Sequence, residues 1–300
     1  MITKYHKCCR TCAPAFPFIG TIPTGTYGIQ TIPGNYGLYL RIISSMWQRD
    51  FHPAGQAGNI GFDTHFFEAM LFLLNIPQAY LFGMITHHMY QIIDNRHLTG
   101  STFLLRMERK DLIFSAGQYI IVGLKDSLQH REYSIYSGEQ DNYLEILIRE
   151  IPGGDISPRL KTCRTGQYLE VRGPFGYMKL DNEKLPTHKF VFVASGTGIA
   201  PFHSFVTSYP WIDYKLLHGV KFKSEAYDHS DYDPERYVLC TSRERNGNYQ
   251  GYVTGYLDNM DIDPSAFYYV CGNSSMIYNV YNILGKKGIS SKNIFSEVYF

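Results

Sequence analysis

The hydrophobic positions change rhythm along the chain. Up to about residue 83 they follow no clear period, and runs such as TIPTGTYGIQTIPGNYG are cut by Gly and Pro too closely for a helix or a long strand. From about residue 90 short β-rich runs follow one another, often alternating apolar with polar. They are STFLLRMER, GQYIIVGL, REYSIYSG, NYLEILIRE and GQYLEVRGPFG, separated by Gly, Ser and Asp turns. That spacing predicts an antiparallel barrel or sandwich. After about residue 186 the strands become near-continuously apolar: KFVFVAS, YKLLHGV, RYVLCTS and AFYYVCG. Such strands suit a parallel sheet covered on both faces, and the segment after each can form a helix, so βαβ units are the economical reading. The expected architecture is an antiparallel β-barrel domain over 84–183 and a doubly wound parallel-sheet α/β domain over 184–300. Residues 1–83 are expected to be an extension outside that fold.

Length agrees, since 300 residues leave room for two domains of about 150 each. A chain 44% hydrophobic and 18% charged is not disordered. A net charge of +1 argues against nucleic acid or an anionic membrane as the principal partner, and six cysteines are too few for a disulfide-stapled scaffold. The charge is uneven: no Asp or Glu precedes Asp50, whereas Lys4, Lys7, Arg10, Arg41 and Arg49 do. This N-terminus lacks the amphipathic Arg/Ser pattern of a transit peptide. Its most apolar stretch, FFEAMLFLLNIPQAYLFGMI, is interrupted by Glu68, Asn75, Pro77 and Gln78, so no membrane span is expected for the core. Met84 and Met89 stand just ahead of the first barrel strand, which suggests a native start there. A targeting or anchoring extension is the rival.

Three segments carry candidate chemistry. In FVFVASGTGIAPF an apolar strand runs into Gly196-Thr197-Gly198, and a helix is predicted from Ala200-Pro201. Glycines there let the backbone approach a pyrophosphate at a helix N-terminus, although a strand-to-helix turn without ligand reads the same. Arg131, Tyr133 and Ser134 bring a phosphate fork, a stacking ring and a hydroxyl to one strand, with an ordinary edge strand as the alternative. Gly154 and Ser157, in GDISPRL, fit an anion site at a short helix or a plain helix cap.

With GPFG at 173–176, CGN at 271–273 and EVY near the end, these form one ordered series that resembles the ferredoxin–NADP reductase family across 90–300. The resemblance implies an FAD-binding barrel and an NADP-binding α/β domain. It implies that Arg131 binds the FAD pyrophosphate, Tyr133 stacks on the isoalloxazine and Ser134 reaches its N5. Gly154, Ser157 and Leu160 match the FAD phosphate segment, and Gly196, Thr197, Gly198 and Pro201 the nicotinamide-cofactor pyrophosphate loop. Ser242 and Arg243, in CTSRE, resemble the group that takes the 2′-phosphate of NADP, and an Arg there favours NADP over NAD. Cys271 would lie beside the nicotinamide as a small polarisable side chain. Glu297 is the C-terminal acid, and Tyr299 or Phe300 the flavin-covering aromatic.

The function implied is an FAD enzyme, cytoplasmic and monomeric, moving electrons between NADPH and an acidic one-electron carrier, ferredoxin or flavodoxin. Lys125, His130, Lys161 and Arg164 are candidates for a basic docking rim. The alternatives are a flavin or quinone reductase, the reductase component of an oxygenase, or a non-catalytic redox module. No metal site is expected. The C-x-x-C among Cys8, Cys9 and Cys12 has no matching second pair, Cys163, Cys240 and Cys271 are scattered, and His87, His88 and His97 read as surface residues.

Overall fold

The computed structural model describes residues 89–125 and 127–299. The expectations for the extension 1–83, the Met84 start, His87, His88 and Phe300 lie outside the described residues. The first sheet holds β1 (Met89–His97), β2 (Thr102–Glu108), β3 (Tyr119–Leu124), β4 (His130–Ser134), β5 (Tyr143–Arg149) and β6 (Tyr168–Phe175). Its strands are antiparallel in the order β4-β3-β6-β1-β2-β5. A bridge between Ile135 and Ile146 joins the two ends, so the sheet closes as a barrel. Ile92, Phe103, Leu105, Ile120, Val122, Ile146 and Val171 fill its interior. β2 and β5 depart from alternation because both of their faces are covered: Leu104 and Leu147 pack in a second cluster with Phe202 and Phe205 of the other half.

The second sheet holds β7 (Lys189–Ser195), β8 (Asp213–Val220), β9 (Tyr237–Thr241), β10 (Tyr249–Gln250), β11 (Phe267–Gly272) and β12 (Ile294–Val298). All pairs are parallel, in the order β10-β9-β8-β7-β11-β12. Helix α1 (Ser157–Lys161) belongs to the first half; α2 (Ala200–Ser208), α3 (Val253–Asn259) and α4 (Ser274–Lys286) belong to the second. Burial on both faces explains the continuous apolar strands. Phe190, Phe192 and Ala194 point into one cluster, and Val191 and Val193 into the other. The order of strands reverses between β7 and β11, and the crevice at such a switch point is where open α/β sheets take ligands. No helix among the described residues is long and apolar enough to cross a membrane.

Candidate active site

The carboxyl ends of β7, β8, β11 and β12 face β4 across a cleft of about 1530 Å³. Pockets for single small ligands run to about 1,000 Å³, so this one has room for an extended ligand or for two. On the barrel side Arg131 and Glu132 are exposed, Tyr133 is half-buried and Ser134 is buried. Alternation would split these four between two faces, yet all four line the cleft. The reason is that β4 has a ladder partner on one side only over these residues, so its open edge faces the cleft. The Arg131 guanidinium donates to the His130 carbonyl at 2.8 Å. Burial pushes the Tyr133 phenol up to about 12, against the opposing charge of Arg131.

Gly154 and Ser157 lie on the same wall. Ser157 does not cap its own helix; its Oγ accepts the Ile151 N–H at 2.9 Å and closes the loop 151–157. As the hydroxyl oxygen serves there as an acceptor, its proton remains for a further partner. Leu160 is buried in the barrel core.

From the second sheet, Gly196 and Thr197 line the cleft in a 3₁₀ turn, Gly196–Ile199, that leads into α2. Gly198 and Pro201 are buried behind that wall, with Pro201 in the first turn of α2. Gly198 is dictated by close approach, because a Cβ there would stand 2.4 Å from the carbonyl oxygen of Cys271. Ser195 Oγ accepts from the Asn273 backbone N–H at 3.2 Å and from its side-chain amide at 3.1 Å, which ties the end of β7 to that of β11. Ser242 lines the cleft and its Oγ donates to the Val220 carbonyl, whereas Arg243 is exposed and stands off the cleft wall.

The last strand completes the floor. Glu297 lies opposite Cys271 in the β11–β12 ladder, and Ser134 Oγ donates to Glu297 Oε2 at 3.2 Å. Burial holds the Glu297 carboxyl above its ordinary range, while the Ser134 hydrogen bond acts in the opposite sense. Cys271 is fully buried; burial, followed by the Glu297 charge, pushes its thiol far up, so it is not a thiolate nucleophile. The Tyr299 N–H donates to the Gly272 carbonyl at 2.8 Å. Its hydroxyl is buried near Cys271 without a well-aligned hydrogen-bond partner. Thus residues distant in sequence, Ser134, Cys271, Glu297 and Tyr299, meet at one point.

Sequence reasoning missed Arg149, Arg172, Lys221 and Tyr252, all of which line the cleft. Their signal was weak, since each is a lone residue: Arg149, Lys221 and Tyr252 at strand ends or in loops, and Arg172 within β6. Of the four rim candidates only His130 lines the cleft, and it pairs with Glu170 at 3.2 Å. Lys161 is engaged by Glu150 at 2.6 Å. His97 is exposed, with its ring stacked on Phe103. Among the described residues no group of three or more His, Cys, Asp or Glu is placed to hold a metal ion. An extended cleft, a planar cationic fork at Arg131 and open backbone at Gly196 fit a flat-ringed, diphosphate-bearing dinucleotide.

Comparison with known proteins agrees. The family model described as an oxidoreductase FAD-binding domain matches residues 92–180. The toluate 1,2-dioxygenase electron transfer component of Pseudomonas putida is 27% identical over 229 residues, 68% of this chain and 65% of that protein. The flavodoxin/ferredoxin–NADP reductase of Rhodobacter capsulatus is 36% identical over 114 residues, 36% of this chain and 42% of that protein. The chain therefore spans less than two thirds of either relative. In fold, the crystal structure of a ferredoxin NADP+ reductase from Neisseria gonorrhoeae superposes with a TM-score of 0.64 at 23% identity, covering 71% of this chain and 98% of that one. By the order of its motifs, by its matched oxidoreductase FAD-binding domain and by its fold, the chain resembles the ferredoxin–NADP reductase family.

Proposed function

We propose that this chain is an FAD-dependent oxidoreductase that moves electrons between NADPH and a one-electron carrier, ferredoxin or flavodoxin. The observation that carries the reading is the meeting of Ser134 from the barrel and Glu297 from the last strand, 3.2 Å apart on the cleft floor. Bound FAD would supply the chemistry that converts a two-electron hydride into single electrons. The protein would supply the rest. Arg131, the proton of the Ser157 hydroxyl and the backbone at Gly154 would hold the FAD phosphates, and Tyr133 would stack on its ring. The Ser134 hydroxyl would lie beside the ring nitrogen, and Glu297 would orient it by accepting its proton at Oε2. Cys271, buried behind the cleft floor, would stay a neutral, polarisable group, and Tyr299 on the cleft lining would exclude water beside it. The share of Phe300 in that cover is part of the same reading.

Gly196, Thr197, Gly198 and Pro201 would form the pyrophosphate loop for the nicotinamide cofactor. Ser242 and Arg243, with Lys221 on the cleft wall, would favour the 2′-phosphate of NADPH. In this reading 84–183 is the FAD domain and 184–300 the NADP domain of a cytoplasmic monomer. Arg149, and His130 and Arg172 around their shared partner Glu170, put basic groups along the cleft that would suit an acidic carrier. A second acceptor class, an oxygenase partner, is favoured by the match to the toluate dioxygenase component. The test is steady-state oxidation of NADPH by the purified, flavin-loaded protein with ferredoxin, flavodoxin or free flavin as acceptor. Faster turnover with the protein carriers supports the reading; a preference for free flavin, or no turnover with any acceptor, overturns it.

A further inference from the structure

The proposed electron transfer makes no use of the buried imidazole of His218. It stands in the strand Tyr-Lys-Leu-Leu-His-Gly-Val of β8, beside Ala194 of β7, and is completely buried. Its Nε2 lies 2.9 Å from the Gly196 carbonyl oxygen and its Nδ1 lies 2.8 Å from the Tyr237 hydroxyl. A carbonyl can only accept, so Nε2 carries the proton, Nδ1 accepts, and Tyr237 donates. Tyr237 is itself held by a stacked Tyr232 ring, with centroids 5.1 Å apart. Burial pushes the imidazole down to about 4, so the ring is neutral and draws no phosphate by charge.

Its effect is geometric. In a planar trans peptide the C=O and N–H point in opposite directions. A Gly196 carbonyl held inward by His218 therefore turns the Thr197 N–H outward, and both residues line the cleft. Gly196 has φ +55°, and a glycine leaves this peptide free to rotate in a way that other residues would not. We propose that His218, fixed by Tyr237, is a positioning residue that holds the Gly196–Thr197 peptide with its N–H toward the pyrophosphate of the nicotinamide cofactor. The inference rests on the cofactor reading above. A polar ring in an apolar strand costs burial energy that a leucine would not, and the Gly196 carbonyl is the group it serves.

The test uses flavin-loaded protein and two ligands, 2′-phospho-ADP-ribose, which has the pyrophosphate, and adenosine 2′-monophosphate, which lacks it. His218→Leu should weaken the first by about tenfold, as expected when one buried hydrogen bond is lost, and leave the second within about twofold. His218→Gln, whose amide N–H can replace Nε2–H, should recover most of the loss. Equal weakening of both ligands, or of neither, would overturn the positioning role. Should His218→Leu not fold, Tyr237→Phe and His218→Gln still decide: selective weakening of 2′-phospho-ADP-ribose by Tyr237→Phe supports the role, and unchanged binding of both overturns it. A wild-type protein that binds neither ligand overturns the cofactor reading itself, and the role with it.

Discussion

At the scale of single residues the cleft floor depends on one hydrogen bond between distant parts of the chain. Ser134 Oγ donates to Glu297 Oε2 and so favours the charged carboxylate, against the burial that raises it. Ser134→Ala should slow reduction by NADPH by about 100-fold, the scale of losing one polar group at a reacting centre. It should also move the Glu297 titration to higher pH, because the bond that lowers it is gone. Stopped-flow reduction across pH reads both effects, and an unshifted profile would exclude this role for Ser134. His218 supplies a second prediction. Its folded value of about 4 lies below the ordinary 6.5, so the unfolded chain binds the extra proton first as pH falls. Stability that is complete above pH 6.5 should decline between 6.5 and 4, by up to about 3 kcal/mol for this group. Urea denaturation at several pH values should give a flatter profile for His218→Gln, where the titrating ring is absent.

At the scale of elements, the site is built from strand ends, and that governs what the sequence made legible. The β4 motif and the turn after β7 could be read because their chemistry sits in consecutive residues. Arg149, Lys221 and Tyr252 could not, because each comes to the cleft as a lone residue from a separate strand end or loop. All four residues from Arg131 to Ser134 line the cleft, because the open edge of β4 faces it. The near-continuous apolar runs of β7, β8, β9 and β11 identify a parallel sheet, because burial on both faces leaves no polar period. The 3₁₀ turn after β7 packs on β11 so closely that Gly198→Ala would set a methyl 2.4 Å from the Cys271 carbonyl oxygen. The turn must then lift away, at a cost of about 1–3 kcal/mol, typical of overpacking. Thermal unfolding reads the loss, and weaker NADP+ binding should accompany it. Wild-type values for both would mean that the turn is not held by that contact.

At the scale of the molecule, the two sheets are joined through α2 and the loop before β9. His203 Nδ1 lies 2.7 Å from the Tyr136 carbonyl oxygen, its ring stacks on that of Tyr136 at 3.7 Å, and its Nε2 lies 3.1 Å from Asp231. Ser204 donates to the Ser137 carbonyl, and Arg96 reaches Asp228 with both terminal nitrogens at 2.9 Å. Tyr136 and Ser137 lie two and three residues past β4, so this joint sets β4 against α2 and the turn that leads into it. None of it was visible in the sequence, because the partners that join the two halves are 67 to 132 residues apart. His203→Ala should cost about 2 kcal/mol by leaving a buried carbonyl unpaired. Chemical denaturation measures that loss, and an unchanged midpoint would mean that the joint bears no load at this residue. The proposed chemistry requires a flavin between the two sheets. The most direct measurement is the visible absorption of the purified protein, before and after anaerobic addition of NADPH. A bound flavin should show its absorption bands, present on isolation or restored by added FAD, and these should bleach with NADPH. A protein that neither carries flavin nor takes up FAD would contradict it.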